Sequence, residues 1–216
     1  MLLKDLIEKN KITEDLLKNV NNKILHNKVR GISSNSKEIK KGYIFVAIKG
    51  KNFDGAEYIA EAEKLGAFLI IAEESCNKKV FSIKKGTARQ IYTLLLSSFY
   101  IKQPKQIIGV TGTNGKTSTV EFCRQLWALA GWKAASMGTL GTKTETAINK
   151  SVYKNKEENL TTFEPSDLYK KLNFLVEEKI SHLALEASSH GIDQYRLDGV
   201  NFSGAVFTNL SHDHLD

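Results

Sequence analysis

The chain has 216 residues, of which 41% are hydrophobic and 25% are charged. This length allows one or two domains with a substantial core, and the composition is typical of a folded protein rather than a disordered one. The formal net charge is +7, but the basic residues are scattered among acidic ones instead of forming a dense run, which argues against a nucleic-acid-binding surface. The sequence holds no apolar run of about 18 residues, so we expect no membrane-spanning helix and no membrane partner.

The N-terminal segment alternates apolar and charged residues at helical spacing, which predicts an amphipathic helix rather than a signal peptide. The two cysteines, Cys76 and Cys123, lie far apart in the sequence. This usage is typical of reduced thiols in a cytosolic protein, although two cysteines are also compatible with a single disulfide. We therefore expect a cytoplasmic protein.

The first hundred residues contain the pattern of a small α/β lobe. The apolar runs Tyr43–Ile48 and Phe68–Ala72 predict buried strands, and between them Ala56–Leu65 predicts a helix that Gly66 closes. A strand, a short helix and a second strand in this order indicate a parallel pair. The polar cluster Ser33–Ser36 could hold phosphate or sugar hydroxyls, but such clusters are also common in plain turns.

The sequence predicts a domain boundary at the Lys84–Thr87 turn, giving domains at residues 1–86 and 87–216. The helix predicted at Ala88–Tyr100 leads through Pro104 into the next apolar run. For that reason we assign this helix to the second domain.

A glycine-containing loop between a strand and a helix is the strongest signal in the chain. The stretch 107–122, IIGVTGTNGKTSTVEF, starts as a buried strand, breaks at Gly112 and Gly115, and continues as a helix from Lys116. This arrangement builds a nest of backbone N–H groups around a phosphate chain. Lys116 would reach the β- and γ-phosphates and Thr117 would offer its hydroxyl to Mg²⁺. Val110 stands where the strict spacing has glycine, so this is a variant loop, and the alternative is a turn that merely precedes Lys-Thr.

Further elements follow in the second domain. Lys116–Ala130 predicts a helix closed by Gly131, and a short strand is expected at Lys133–Ser136. Residues 142–159 are polar and lysine-rich, which is typical of a hairpin or a mobile loop. A helix is expected at Ser166–Lys179, with Ser166 as its N-cap.

Polar side chains follow two later strands where each one ends. His182–Leu185 leads into Glu186, and Phe202–Leu210 leads into a segment that contains His212, Asp213 and His214. Ligands bind beyond the carboxyl ends of strands in an open parallel sheet, so these residues favour a metal–nucleotide site beside the glycine loop. The alternatives are a solvated glutamate, exposed histidines and a helix-capping aspartate. The spacing matches no closed zinc site.

Taken together, these residues resemble the Mur ligases, the ATP-dependent enzymes that add amino acids to the peptidoglycan precursor. The resemblance is strongest to the members that add the third residue, and it covers nearly the whole chain. It is carried by Asn35-Ser36-Lys37 with the strand and the Asp54-Gly55 pair that follow, by Gly-Thr-Asn-Gly-Lys-Thr, by Leu160-Thr161-Thr162, and by Glu186-Ala-Ser-Ser-His-Gly through Phe207-Thr-Asn-Leu-Ser-His-Asp-His-Leu-Asp216.

The resemblance implies a small N-terminal α/β domain that binds a uridine nucleotide, followed by a truncated central domain of the P-loop NTPase type with a mostly parallel sheet. It implies ATP and Mg²⁺ as cofactors, UDP-N-acetylmuramoyl dipeptide and an amino acid as partners, and a monomer. The implied catalytic residues are Lys116, Glu186 and His214, and the implied metal ligands are Thr117, Glu186 and His214. ATP would contact Gly112, Thr113, Asn114, Gly115, Lys116, Thr117 and Ser118, and the UDP-linked substrate would contact Ser34, Ser36, Lys51, Asn52, Phe53, Thr161, Thr162, Ser188, Gln194 and Arg196.

Two features depart from the family pattern. Phe163-Glu164 stand between Thr161-Thr162 and Pro165, where the family usually places proline at once, so we expect the loop to follow a different course. The family's carbamylated lysine and its amino-acid-binding domain would lie beyond Asp216, so the chain alone is expected not to complete ligation. The alternative functions are a folylpolyglutamate-synthetase-like ligase of the same superfamily and a non-catalytic nucleotide-binding protein.

Overall fold

The structure is a computed structural model that describes residues 1–11, 13–14, 20–50, 53–75, 80–145 and 160–211. The chain divides into two compact units, Met1–Phe99 and Tyr100–Asp216. Each unit is built around its own sheet. Within the described residues, no helix is long and apolar enough to cross a membrane.

The first unit contains a four-stranded sheet in the order β1-β2-β3-β4, and each neighbouring pair is parallel. The predicted parallel pair of β2 and β3 is therefore confirmed. The unit's strands and helices are β1 Gly31–Ser33, β2 Tyr43–Val46, β3 Ala67–Glu73, β4 Phe81–Ile83, α1 Leu3–Glu8, α2 Ile59–Lys64 and α3 Ala88–Phe99.

A loop held by close backbone packing precedes α2. The helix expected at Ala56–Leu65 begins instead as a 3₁₀ turn, Gly55–Tyr58, and becomes α-helical only at Ile59. The Asp54 carboxylate caps this turn by accepting from the Ala56 N–H at 2.9 Å. A Cβ on Gly55 would lie 2.5 Å from the backbone nitrogen of Ile48, so only glycine fits there. This explains the Asp-Gly pair that the sequence places after the second strand.

Helix α3 belongs to the first unit, which corrects the predicted boundary between residues 86 and 87. It packs against α1, β1 and β3, and the chain divides after Phe99. Its side chains Ile91, Leu95 and Leu96 are buried. The sequence shows that this helix has an apolar face but not which sheet the face covers.

The second unit holds a five-stranded sheet in the order β7-β6-β8-β5-β9. All its pairs are parallel except β6 with β7, so the expectation of a mostly parallel sheet is confirmed. Its elements are β5 Gln106–Thr111, α4 Lys116–Leu129, β6 Ala134–Gly138, β7 Gly141–Thr144, α5 Pro165–Glu177, β8 His182–Glu186, α6 Ser189–Asp193 and β9 Gly204–Phe207.

Three local expectations for this unit changed. Glu164 rather than Ser166 occupies the N-cap position of α5, without a capping hydrogen bond from its side chain, because Pro165 takes the first helical position, where its missing N–H costs nothing. Strand β9 covers only part of the predicted Phe202–Leu210 run. The hairpin expected within 142–159 begins earlier, since Gly138 pairs with Gly141, and residues 146–159 lie outside the described residues.

Candidate nucleotide and metal site

The predicted phosphate loop lies between the end of β5 and the start of α4. Gly112 has φ +131° and Gly115 has φ +84°, both in the region that favours glycine. Gly115 is the left-handed N-cap of α4, and no side chain caps this end of the helix within the described part of the chain. Since the first N–H groups of a helix have no intrahelical acceptor, those of Lys116, Thr117 and Ser118 remain available as donors.

The Lys116 side chain folds back over this loop. Its ammonium donates to the carbonyl oxygens of Gly112 at 2.5 Å and Thr113 at 2.9 Å. The side chain of Thr117 is half-buried and that of Ser118 is exposed. A positive charge and the open end of a fourteen-residue helix therefore lie together at the carboxyl end of β5.

The segment after β9 holds the phosphate loop from outside, and sequence reasoning gave these residues no role. The Thr208 hydroxyl donates to the Asn114 carbonyl at 2.7 Å, and the Asn209 carboxamide donates to the same carbonyl at 3.1 Å. A Cβ on Gly112 would lie 2.1 Å from the Thr208 hydroxyl oxygen, so glycine is required there by contact as well as by its φ angle. The one available signal was the position of Thr208 just beyond β9, which pairs with β5.

Glu186 ends strand β8 beside the phosphate loop, because it pairs in register with Val110 of β5. Its side chain is only 1% exposed, so the alternative of a solvated glutamate is wrong. Thr139 donates its N–H to one carboxylate oxygen at 3.0 Å and its hydroxyl to the other at 3.2 Å. A buried carboxylate on a strand end next to a phosphate loop is suited to hold a cation.

The pair Thr161-Thr162 and Ser188 join this glutamate through hydrogen bonds. The Thr139 and Thr161 hydroxyl oxygens lie 3.2 Å apart, within hydrogen-bond distance, and Thr162 donates to the Glu186 carbonyl at 3.2 Å. The Ser188 N–H donates to the Thr162 hydroxyl at 2.9 Å. The Ser188 hydroxyl also caps α6, a role that the sequence analysis did not assign. The structure thus brings together residues from two of the sequence motifs, together with Thr139, which belongs to neither.

Arg196 completes this cluster, and its partners belong to the protein itself. Its guanidinium donates to the Thr162 carbonyl at 2.8 Å and to the Gln194 side-chain oxygen at 2.8 and 3.2 Å, and it forms an ion pair of 2.8 Å with Glu164. Phe163 is buried at 4% exposure. Of the two residues that depart from the family pattern, Phe163 therefore fills the core and Glu164 binds Arg196.

The predicted uridine-nucleotide residues of the first unit form a capped turn after β1. Asn35 accepts the Lys37 N–H at 3.1 Å, Ser36 is buried and donates to a carboxylate oxygen of Glu61 at 2.5 Å, and Ser34 is half-buried. Phe53 is 63% exposed. The turn interpretation of this cluster is correct for its backbone, and its contact with a ligand stays a prediction.

Several predicted residues lie outside the described residues, namely Lys51, Asn52, Cys76, His212, Asp213 and His214. Cys123 is a free thiol whose pKa is raised by partial burial. Among the described residues, no group of three or more His, Cys, Asp or Glu is placed to hold a metal ion. The described ligand candidates for a cation are therefore Glu186 and the Thr117 hydroxyl.

The fold and the loop define an α/β protein of the class that binds nucleoside phosphates at the carboxyl end of a parallel sheet. Two family matches agree, the Mur ligase middle domain at residues 110–216 and the Mur ligase family catalytic domain at residues 28–97. The chain belongs to the Mur ligase family.

Curated relatives named UDP-N-acetylmuramoyl-L-alanyl-D-glutamate--2,6-diaminopimelate ligase are similar over most of the chain. The protein from Brucella melitensis is 42% identical over 191 residues, covering 87% of this chain and 38% of the relative. The Rhizobium meliloti protein is 43% identical, with 87% and 38% covered, and the Rickettsia rickettsii protein is 42% identical, with 88% and 39% covered. The chain spans about two fifths of the length of these relatives.

Solved structures share the fold. A diaminopimelate ligase structure of the same name matches with a TM-score of 0.77 at 24% identity, covering 100% of this chain and 42% of that one. The MurF ligase from Thermotoga maritima in complex with ADP matches with a TM-score of 0.54 at 23% identity, covering 87% and 39%.

Proposed function

We propose that this chain carries the nucleotide half of an ATP-dependent ligase that adds 2,6-diaminopimelate to UDP-N-acetylmuramoyl-L-alanyl-D-glutamate. The observation that carries the proposal is the phosphate loop beside the buried carboxylate of Glu186, in a chain 42% identical to ligases of that name. A folylpolyglutamate-synthetase-like function has less support, since the relatives reported above act, by name, on the muramoyl dipeptide.

The chemistry requires that a carboxylate become an electrophile. ATP would phosphorylate the terminal carboxylate of the dipeptide to an acyl phosphate, and the incoming amine would displace phosphate to form the amide. Lys116 and the N–H groups at the start of α4 would bind the phosphates and neutralise their charge. The protein's contribution is thus alignment and electrostatics rather than covalent chemistry.

The residues present are suited to Mg²⁺. Mg²⁺ binds oxygen ligands, keeps several waters and is held by one or two protein groups together with substrate phosphates. An ionised carboxylate offers about four lone-pair sites, and Thr139 occupies two on Glu186. The Thr117 hydroxyl, and His214 from outside the described residues, complete the proposed ligand set. Bound Mg²⁺ would neutralise phosphate charge.

The substrate would bind on the other side of Glu186. Thr161, Thr162, Ser188, Gln194 and Arg196 are proposed to contact its pyrophosphate, sugar or peptide portion, because the hydrogen bonds above gather them at one place. The Ser34–Ser36 turn and residues 51–53 are proposed to contact the uridine nucleotide. The proposal locates the protein in the cytoplasm, as a monomer.

Complete ligation is proposed to need more sequence than these 216 residues, because the relatives are more than twice as long. The purified chain should therefore bind nucleotide but form no amide from UDP-muramoyl dipeptide, diaminopimelate and ATP. Amide formed by the chain alone would contradict this part of the proposal.

Calorimetric titration of the purified chain with ADP and Mg²⁺ tests the nucleotide site. Lys116→Ala should weaken ADP binding by about 10- to 100-fold, because a hydrogen bond from a charged donor contributes about 1.5–3 kcal/mol. Lys133→Ala, at an exposed lysine just beyond the other end of α4, is the matched control and should bind as the unaltered chain does. Failure of the unaltered chain to bind ADP, or equal weakening by both variants, would overturn the assignment.

A further inference from the structure

The phosphate loop does not offer all of its backbone donors to a ligand. The Thr113 N–H donates to the Asn209 carbonyl at 3.0 Å, and the Asn114 N–H donates to the Asn209 side-chain oxygen at 3.0 Å. Each N–H group carries a single proton, so both are already committed within the protein. By contrast, no protein acceptor is found among the described residues for the N–H groups of Gly115–Ser118, at the start of α4.

The carbonyl of Asn114 is held from the same side. It accepts from the Thr208 hydroxyl at 2.7 Å and from the Asn209 carboxamide at 3.1 Å. Asn209 therefore clamps Asn114 through its N–H and its C=O at once, and this double contact fixes which way the carboxamide faces. Thr208 is anchored in turn, because its own N–H donates to the Thr111 carbonyl at 2.9 Å.

Fixing this carbonyl also fixes the neighbouring donor. In a trans peptide the C=O of one residue and the N–H of the next point in opposite directions, and the described peptides are all trans. With the Asn114 carbonyl turned toward Thr208 and Asn209, the Gly115 N–H must point away from them. Gly115 has a positive φ and few steric constraints, so without the clamp this peptide could rotate and turn a carbonyl toward the phosphates.

We propose that Thr208 and Asn209 are positioning residues that aim the Gly115 N–H, and that phosphates bind to the donors of Gly115–Ser118 rather than to those of Thr113 and Asn114. The inference rests on the proposed ATP site and deepens it. It removes the Thr113 and Asn114 N–H groups from the expected set of ATP contacts, Gly112–Ser118. It also links the loop to the chain that leads toward His214.

Hydrogen exchange of the labelled chain tests the donor assignment directly. The Thr113 and Asn114 amides should be protected without nucleotide, since they donate within the protein. The Gly115 amide should gain protection only when ADP and Mg²⁺ are added. Fast exchange of the Thr113 and Asn114 amides without nucleotide, or protection of the Gly115 amide that is the same with and without ADP, would overturn the proposal.

Variants test the positioning role. Thr208→Val removes the hydroxyl at nearly constant shape and should weaken ADP binding about fivefold, the equivalent of one hydrogen bond, whereas Thr208→Ser should restore it. Asn209→Asp should weaken binding tenfold or more, because a carboxylate oxygen would then face the Asn114 carbonyl. Asn201→Asp, at an exposed asparagine before β9, is the matched control and should bind normally.

Two readouts separate positioning from general stability. A positioning role predicts that Thr208→Val loses ADP affinity while its melting temperature stays within about 2 °C of the unaltered chain, because the loop lies at the surface. Normal ADP affinity in Thr208→Val, or equal losses of ADP affinity in Thr208→Val and Thr208→Ser, would refute the inference. If binding depends on Lys116 but not on Asn209, this inference alone fails; if the unaltered chain binds no ADP, the proposed function fails with it.

Discussion

Gly138 is the position where the smallest change should disturb the site most. It is the last residue of β6 and lies against the Glu186 side chain. A Cβ placed there would lie 2.1 Å from a Glu186 carboxylate oxygen and 2.3 Å from its carboxyl carbon. Gly138→Ala therefore forces the buried carboxylate out of its present position.

The cost follows from what Glu186 would leave behind. Its two hydrogen bonds from Thr139 would be lost or lengthened, and each hydrogen bond to a charged group is worth about 1.5–3 kcal/mol. Partial rescue by a new rotamer leaves a net destabilisation of about 2–3 kcal/mol, within the range for overpacked sites. For a chain of this length that corresponds to a fall of about 5–10 °C in melting temperature. Mg²⁺-dependent ADP binding should weaken in parallel.

Thermal unfolding of Gly138→Ala, Glu186→Ala and the double variant measures this coupling. In the Glu186→Ala background the added methyl group meets no carboxylate, so the effects should be non-additive by more than about 1 kcal/mol. Gly204→Ala is the matched control, because its Cβ would lie at an ordinary 3.9 Å from Ile108 in the neighbouring strand. Additive effects, or equal destabilisation by Gly204→Ala, would refute the reasoning.

Two pH responses follow from charged groups outside the site. Hydrogen bonding from Arg124 lowers the pKa of Glu121 from 4.5 to about 2. The ionised Glu121 therefore stabilises the folded chain fully above pH 4.5, and this contribution is lost as the pH falls toward 2. Chemical denaturation should find Glu121→Gln less stable than the unaltered chain at pH 7 and equal to it near pH 2. Burial, and then repulsion from Lys105, lowers the pKa of His182, which stacks on Trp132 at 4.4 Å. Quenching of tryptophan fluorescence on acidification should have its midpoint below pH 6.5, Lys105→Ala should raise that midpoint, and a midpoint at or above 6.5 would contradict the assignment.

The parts of the site that could be predicted from sequence are those governed by local patterns. The glycine loop was visible because a buried strand, glycines at positive φ and a helix start must follow one another within a few residues. Glu186 was visible because it ends a strand, and parallel strands bring their carboxyl ends to one edge. These rules depend on neighbours in the sequence and on the handedness of the chain.

The parts that could not be predicted depend on contacts between distant residues. Asn209 binds Asn114 across 95 positions of sequence, and no local pattern specifies that pairing. Helix α3 has an apolar face that would suit either unit, and only the observed packing assigns it to the first. The burial of Glu186 was not predicted for the same reason, since it depends on Gly138, the last residue of β6, and on Thr139, which follows it.

The two residues that depart from the family pattern, Phe163 and Glu164, both make contacts within the protein. Phe163 is buried in the core, and Glu164, at the N-cap position of α5, pairs with Arg196 through its carboxylate. Next to them in the chain, Thr162 donates to the Glu186 carbonyl and accepts from the Ser188 N–H. Glu186 is then bound through its carbonyl to the proposed substrate residues and aims its carboxylate at the proposed metal site. Glu186, at the end of β8, thus joins the proposed substrate residues to the proposed metal site. Because a Cβ at position 138 would displace its carboxylate, the position of Glu186 should depend strongly on glycine at that position.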